Sequence, residues 1–281
     1  MRSTLLMISA ALAALAPAAA SAETLVIPFV AHNFKGRDGA LWSSEIYLTN
    51  LSLQPVQVSL LDFLAGTLES SRPCDSPTAP TRVVPPLSSV VWTASGLATD
   101  LGCADRAIGS LVLSADGPVH VVSRTVNHLA DPDHRRPGLL AGPGQEIEAI
   151  SADRLPEPGE HLLPSLIWHR NTCGPTEFDT YLGFANPGDQ QVVAMLDVPL
   201  PAADGGVLID GLEVELPFPI RIPAQSWLQV HLEPEDDPTA RCLGPASFLA
   251  TVTTDGPVAL YASVVSRDGS DPRTVLPVPA N

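Results

Sequence analysis

Apolar and polar residues alternate with a period of two in many short runs of this chain. Residues 56–60 (VQVSL) and 228–232 (LQVHL) are two examples. Because successive side chains of a β-strand point to opposite faces, this pattern predicts strands with one apolar face. Helical periodicity is nearly absent. The best candidate, residues 88–101, contains Gly96 and several β-branched residues, and we expect a strand followed by a short turn there.

The pattern of strands occurs twice along the chain. Residues 25–28 (LVIP) and 42–50 (WSSEIYLTN) recur at an offset of 136 as 161–164 (HLLP) and 178–186 (FDTYLGFAN). Later, the motif DGPV at residue 116 recurs at residue 255, an offset of 139. Solenoid repeats are about 20 to 50 residues long, so a repeat of this length predicts two whole domains in tandem, with small loop insertions.

Each DGPV motif lies between two apolar runs. We expect each motif to form the turn of a β-hairpin, because Asp-Gly favours a tight turn and the proline is tolerated at the start of the next strand. Short strands at a spacing of about 8 to 12 residues predict an antiparallel β-sandwich. The polar, proline-rich segment 152–160 (ADRLPEPGE) predicts the boundary between domains at residues 23–155 and 156–281.

The first 22 residues have the pattern of a secretory signal peptide. Arg2 supplies the positive charge, residues 5–15 the apolar stretch, and residues 20–22 (ASA) the small-residue cleavage site. The apolar run is interrupted by Pro17 and is shorter than the roughly 20 residues needed to span a bilayer. We therefore expect an exported chain, secreted, periplasmic or on the cell surface, that is not inserted in a membrane.

The net charge of −16 argues against two classes of partner. Nucleic acids and anionic membranes both require a basic surface, and the 15 arginine and lysine residues are outnumbered by 31 acidic ones. Lys35 is the only lysine, so chemistry that depends on a lysine nucleophile has a single candidate. It lies in a glycine-flanked loop rather than in an apolar run, and we expect it to be solvated.

The four cysteines are distributed two per repeat. Cys103 and Cys242 are equivalent, since each lies 13 residues before the aspartate of its DGPV motif. An even number of cysteines in an exported chain favours disulfides over a zinc site, and no C-x-x-C spacing is present. We predict that Cys74 pairs with Cys103 and that Cys173 pairs with Cys242.

Together these motifs resemble a known kind of protein. They are the Ile27-Pro28 strand, the aromatic-led strands ending in Thr-Asn or Ala-Asn, the DGPV motifs, residues 123–127 (SRTVN) and 262–267 (ASVVSR), and the final LPVPA. This combination resembles the tandem immunoglobulin-like domains of secreted bacterial surface proteins of undefined role. The resemblance covers about residues 25–281 and implies two immunoglobulin-like antiparallel β-sandwich domains. It implies no catalytic residues. The chain departs from the pattern at Val126 and in an insertion at residues 128–136.

The insertion at residues 128–136 contains the densest group of polar side chains. Its members are His128, Asp131, Asp133, His134, Arg135 and Arg136. Imidazole and carboxylate groups together suit zinc or manganese, so a metal site is one interpretation. The other is a solvated loop tip, which the turn-forming residues favour, and we assign no metal. As the most elaborate polar loop, and the feature that differs most between the repeats, it is the predicted ligand-binding loop.

Other polar and aromatic positions are weaker candidates. Glu233 and the acidic residues 235–237 follow an alternating strand and could bind calcium weakly, although a solvated acidic loop is the simpler interpretation. His32 and His169 are nearly equivalent in the two repeats, which favours a structural role. Tryptophans at strand positions are usually core residues. Trp168, next to a predicted loop, is the one expected to be exposed and able to contact a sugar.

Three functions from different classes remain open. The chain lacks the nucleophile elbow, the zinc-protease motif, the P-loop and the dinucleotide-binding motif. We therefore predict a non-catalytic structural or adhesive binding module of the bacterial cell envelope, with a protein or surface glycan as partner and without a cofactor. The first alternative is a periplasmic assembly chaperone, which would need a basic anchor between two immunoglobulin-like domains. The second is a metal-dependent hydrolase that uses His128, Asp131 and His134.

Overall fold

The structure is a computed structural model that describes residues 22–36, 40–66, 74, 80–103, 106–127, 144–168, 178–198, 207–234, 246–266 and 272–280. Within these ranges the chain forms 21 β-strands, one α-helix and one 3-10 helix. All strand pairs between named strands are antiparallel. The predicted all-β class is confirmed.

The N-terminal half of the chain is defined here as residues 22–155. Its elements are β1 (Glu23–His32), β2 (Phe34–Lys35), β3 (Leu41–Asn50), β4 (Val56–Ala65), β5 (Thr81–Val84), β6 (Ser88–Trp92), α1 (Ala94–Leu101), β7 (Ala107–Ala115), β8 (His120–Asn127), β9 (Gly144–Glu148), β10 (Ile150–Ser151) and a 3-10 helix (Ala152–Arg154).

The C-terminal half is defined as residues 156–280. Its elements are β11 (Gly159–Trp168), β12 (Phe178–Asn186), β13 (Val192–Asp197), β14 (Val207–Ile209), β15 (Leu212–Val214), β16 (Phe218–Ile222), β17 (Ser226–Pro234), β18 (Ala246–Thr254), β19 (Ala259–Ser266), β20 (Arg273–Val275) and β21 (Val278–Pro279).

The strands form four sheets, two in each half. Sheet I has the order β10-β1-β7-β4-β5, and sheet II has the order β2-β3-β8-β9, with β6 also paired to β3. Sheet III has the order β15-β14-β17-β12-β19-β20, and sheet IV has the order β16-β13-β18-β11-β21. Sheets I and IV therefore share one strand order, and sheets II and III share another, apart from β2 and the β14–β15 hairpin. The repeat seen in the sequence has a counterpart in the topology.

Individual hydrogen bonds also recur between the halves. The Nδ2 atom of buried Asn50 donates to three main-chain carbonyl oxygens, and that of buried Asn186 does the same at the equivalent corner. In both, the Oδ1 atom accepts a main-chain N–H two residues further on. These bonds satisfy main-chain carbonyl groups that have no partner strand. This explains why β3 and β12 both end in asparagine.

The DGPV motifs connect two sheets, and the prediction of two hairpins was wrong. Strand β7 lies in sheet I and β8 in sheet II, while β18 lies in sheet IV and β19 in sheet III. The Oδ1 atom of Asp116 accepts the main-chain N–H of Gln57, and Asp255 accepts that of Val193 in the same way. Each aspartate thereby adds a hydrogen bond at the end of a strand pair. Pro118 and Pro257, which lack an N–H, cannot extend that pairing, and the chain continues into the other sheet.

The segment predicted to be a strand and a short turn ends instead in the helix α1. Thr93 caps its N-terminus by accepting the N–H of Gly96, and Gly102 ends it in the left-handed conformation, with φ of 65°. Leu97, Ala98 and Leu101 are buried on one side of the helix. The apolar spacing of this single short helix is too brief to stand out against the strand pattern, and the cap residues are the signal that was missed.

Three apolar clusters hold the molecule together. One lies between sheets I and II, and one between sheets III and IV, as expected for β-sandwiches. The third lies between the outer face of sheet I and the outer face of sheet III. This is why the central strands β1 and β7 read as nearly continuous apolar runs, since both of their faces are covered.

The third cluster joins residues of both halves, and Trp227 is its centre. Its indole is fully buried, and Nε1 donates to the carbonyl oxygen of Pro28, 2.9 Å away. Phe29 packs against both Trp227 and Tyr261, with ring centroids 5.9 and 5.8 Å apart. Leu155, in the predicted linker, is also buried in this cluster. The division into two domains at residues 155 and 156 stays a prediction.

A disulfide links Cys74 to Cys103, as predicted, with the Cα atoms 4.5 Å apart. It closes a loop of 29 residues and fastens it to the chain just after α1. The second predicted pair, Cys173 and Cys242, lies outside the described residues, as does the predicted signal peptide up to Ser21. Among the residues that are described, no helix is long and apolar enough to cross a membrane.

Candidate functional site

A cleft of about 420 Å³ opens between the two halves of the molecule. The N-terminal half contributes β2, the residues next to it, the start of β3, and single residues of β1, β7 and β9. The C-terminal half contributes the outer face of sheet III. A volume of this size lies within the range of small-molecule binding sites, and such sites are common where two structural units meet.

The N-terminal wall of the cleft is aromatic. Phe34 and Trp42 are directly paired across β2 and β3, and both are partly exposed toward the cleft. The backbone of Gly36, which follows β2, lies against the indole of Trp42, where a Cβ atom would lie 2.7 Å from Nε1. A side chain at position 36 would displace the indole ring, so a glycine is needed there for Trp42 to keep its position. Exposed Lys35 lies at the same end of the cleft.

The C-terminal wall is polar, and its arrangement follows from strand register. Tyr181 of β12 is paired with His231 of β17, and their rings stack with centroids 4.6 Å apart. Because side chains alternate along a strand, Asp179 shares a face with Tyr181, while Gln229 and Glu233 share a face with His231. This face lies opposite the one that fills the core between sheets III and IV, where Leu182, Val230 and Leu232 are buried.

His231 is held between two carboxylates. Its Nε2 atom lies 3.0 Å from Oδ1 of Asp179, and its Nδ1 atom lies 2.5 Å from Oε1 of Glu233. The contact with Asp179 is a hydrogen bond. The contact with Glu233 is close, but its geometry is not that of a hydrogen bond. The main-chain N–H of His231 donates to Oδ1 of Asp210.

This arrangement restricts what His231 can do chemically. Only 4% of its side chain is exposed, both ring nitrogens face carboxylates, and the ring itself is stacked on Tyr181. A general base needs a nitrogen within hydrogen-bond reach of the substrate. His231 has none to offer, and its contacts instead fix the positions of Asp179 and Tyr181 in the cleft wall.

Gln145 of β9 is the deepest polar residue of the cleft that comes from the N-terminal half. It is 4% exposed, and its Oε1 atom accepts a hydrogen bond of 2.7 Å from Oγ of Ser263 on β19. Its Nε2 atom is buried and has no hydrogen-bond partner among the described residues. Exchanging the amide oxygen and nitrogen would still leave one amide atom without a partner. Gln145 lines the cleft, and one of its two amide atoms is buried without a hydrogen-bond partner among the described residues.

Tyr261 is fully buried behind this wall. Its ring lies across Gly183, where a Cβ atom would come within 2.0 Å of the ring carbons. Burial raises the pKa of Tyr261 well above its usual value of 10.0, so the phenol stays neutral. Its hydroxyl oxygen accepts a hydrogen bond of 3.4 Å from Nε2 of Gln229, which reaches the cleft.

Most of the predicted site residues lie outside the described residues. These are His128, Asp131, Asp133, His134 and Arg135. The chain on either side of them is described: Asn127 is paired with Trp42, and Gly144 immediately precedes Gln145. For Trp168, the structure describes the backbone at the end of β11 but not the side chain. The predicted ligand-binding role of these residues therefore stays a prediction.

The interpretation of Glu233 as part of a solvated acidic loop was wrong. Glu233 belongs to β17, is 7% exposed and contacts His231. The sequence held a signal for this face, because residues 229, 231 and 233 are polar at alternate positions of an apolar strand. That signal shows a polar face, but not that the face meets another half of the molecule. In the part of the chain that the structure describes, no cluster of three metal-ligating side chains is present.

The chain matches no protein-family model, no curated protein and no solved structure. Its class is given by its own structure: it is an all-β protein of packed antiparallel sheets with a cleft between its halves.

Proposed function

We propose that this protein is an exported, non-catalytic binding module built from two tandem immunoglobulin-like β-sandwiches, and that it holds its partner in the cleft between the halves. The observation that carries the proposal is the cleft itself. It combines partly exposed aromatic rings on one wall with fixed hydrogen-bonding side chains on the other. Such a combination of apolar surface and a few oriented polar groups is typical of binding sites.

Export is supported by the signal-like first 22 residues and by the disulfide between Cys74 and Cys103. Structural disulfides form and persist in oxidising compartments such as the periplasm and the cell exterior. The partner is a protein or glycan of the envelope or cell surface. The resemblance to immunoglobulin-like domains of secreted bacterial surface proteins supports the same setting.

A binding role is favoured over catalysis by the way His231 is held. A buried imidazole with a carboxylate at each nitrogen has no free atom for a substrate. The chaperone alternative is less well supported, because the described walls of the cleft carry Asp179 and Asp210, which would repel a partner's terminal carboxylate. The metal-dependent hydrolase would depend on His128, Asp131 and His134, which lie outside the described residues.

The proposal is tested by retention of the purified chain on envelope material from the producing cells, measured by co-sedimentation. The variant Trp42→Ala removes a partly exposed ring from the cleft, and Leu53→Ala removes a side chain that is 76% exposed elsewhere. We expect retention to be lost in the first variant and kept in the second. Equal retention of both variants, or turnover by the wild type in a broad hydrolase screen, would contradict the proposal.

A further inference from the structure

The hydrogen-bonding groups of the cleft place two opposite demands on a ligand. Asp179 and Asp210 each accept a hydrogen bond from His231, and a ligand group that contacts their carboxylate oxygens must be a donor. As assigned, the free Nε2 atom of Gln145 and the ammonium group of Lys35 can only donate, so the ligand must also accept. A hydroxyl group does both, whereas an ammonium group can only donate and a carboxylate can only accept. The polar wall therefore favours a ligand that carries several hydroxyl groups.

The aromatic wall adds a third demand. Phe34 and Trp42 present ring surface to the cleft, and such rings gain most from contact with an apolar face. A sugar ring has a face of C–H groups and a rim of hydroxyl groups, which matches the two walls together. A quaternary ammonium ion would also suit the rings and the carboxylates. It would leave the amide of buried Gln145 unsatisfied and would face the charge of Lys35.

We propose that the cleft is a carbohydrate-binding site that takes a neutral sugar ring, stacked on Trp42 and hydrogen-bonded to Gln145 and Asp179. This inference rests on the proposed binding function and specifies its ligand. Asp179, Asp210 and His231 belong to the second repeat, whereas Lys35 and Gln145 come from the N-terminal half. In the first repeat, strand pairing places Ser43 at the position equivalent to Asp179, and Thr93 at that of His231. The site is a property of the assembled halves.

The sole lysine of the chain provides a direct readout of occupancy. Lys35 lines the cleft, so a bound sugar should slow its acetylation, which mass spectrometry can follow. In the processed chain the α-amino group lies at the opposite end of β1 and serves as an internal reference. The probes are glucose, galactose, mannose, N-acetylglucosamine and their β-linked disaccharides. Choline is tested as the competing cationic ligand.

Variants then locate the binding. Trp42→Ala and Gln145→Ala should each weaken sugar binding by about tenfold or more, because each removes one directional contact. Gln54→Ala and Asp189→Asn, at exposed positions, are matched controls and should bind like the wild type. Affinity is measured by ligand-observed NMR on variants whose circular dichroism shows them folded.

The outcomes separate this inference from the proposed function. Protection of Lys35 by a sugar, lost in Trp42→Ala and kept in the controls, supports the inference. Protection by choline alone, no protection by any sugar in the panel, or sugar binding that is unchanged in both cleft variants would overturn it. If envelope material is still retained through Trp42 while no sugar protects Lys35, the binding function stands and the carbohydrate inference fails.

Discussion

Gly183 and Tyr261 show how one pair of residues adapts a repeated strand to a new neighbour. They face each other across β12 and β19, and the equivalent pair in the first repeat is Tyr47 and Val122. In the second repeat the aromatic residue therefore lies on β19, whereas in the first repeat it lies on β3. There it packs against Phe29 of the N-terminal half. The glycine is required by this ring, not by its own backbone conformation.

Gly183→Ala should therefore destabilise the protein by about 1–3 kcal/mol, because the added methyl group overlaps the ring of Tyr261. In a Tyr261→Val background the same change should cost much less, since valine is the equivalent residue of the first repeat. Chemical denaturation of the four proteins of this cycle measures the coupling. Additive losses would show that the ring is not the reason for the glycine.

His32 makes stability depend on pH. Burial lowers its pKa below the usual value of 6.5, and Nδ1 has no hydrogen-bond partner among the described residues. As the pH falls below about 6.5, the unfolded chain takes up a proton that the folded protein refuses. The free energy of unfolding should therefore decrease, by at most about 1.4 kcal/mol per pH unit, until the folded-state pKa is reached.

The variant His32→Gln should lose this part of the pH dependence. Denaturation midpoints between pH 7 and pH 5 provide the measurement, and His120→Gln, at an exposed position of β8, is the matched control. A slope that is the same in His32→Gln and in the wild type would contradict the assignment.

At the scale of single elements, the C-terminal end of α1 is held in place by a main-chain hydrogen bond and by the disulfide. Cys103 follows the left-handed residue that ends the helix, and its N–H donates to the carbonyl oxygen of Ala98. The disulfide from Cys103 to Cys74 ties this helix end to the chain after β4. A short helix is marginal by itself, so its stability comes from such attachments and from its buried leucines.

Replacing Cys74 and Cys103 together with serine should lower the free energy of unfolding by about 3.5 kcal/mol or less, as expected from releasing a loop of 29 residues. Urea denaturation of the variant and the wild type measures the loss. Non-reducing peptide mapping of the wild type should also find the pair formed by Cys173 and Cys242. A link between Cys74 and either of those two residues would contradict both assignments.

At the scale of the whole molecule, the contact between sheets I and III determines whether the halves behave as one unit. Trp227 is buried in this contact and donates to the carbonyl oxygen of Pro28 in the other half. The backbones of Gly66 and Trp227 form an isolated β-bridge, and a Cβ atom on Gly66 would lie 2.9 Å from the indole ring. Both the apolar cluster and the cleft depend on this approach.

We expect the wild type to unfold in one calorimetric transition. Trp227→Ala should cost about 3–5 kcal/mol and separate the transition into two, because it removes the largest residue joining the halves. Trp92→Ala, in the core between sheets I and II, is the control and should lower stability by the loss of packing within one sandwich. Two transitions in the wild type would show that the halves are already independent.

Local patterns were sufficient to predict the strands, the all-β class and the pairing of Cys74 with Cys103. The alternation at residues 56–60 predicted β4, because the burial of each strand residue follows directly from a period of two. The same reasoning failed for the DGPV motifs. Their residues indicate a turn, but which sheet the chain enters next depends on partners such as Gln57 and Val193, about 60 residues away.

The cleft was decided by tertiary structure alone. Asp179 and His231 are 52 positions apart, and Gln145 and Ser263 are 118 apart. The sequence by itself determined that β17 has a polar face opposite its apolar one. That this face meets the aromatic residues of β2 and β3 in the other half follows only from the packing of sheet I on sheet III. Contacts of this kind join distant residues, and no local pattern of apolar and polar positions records them.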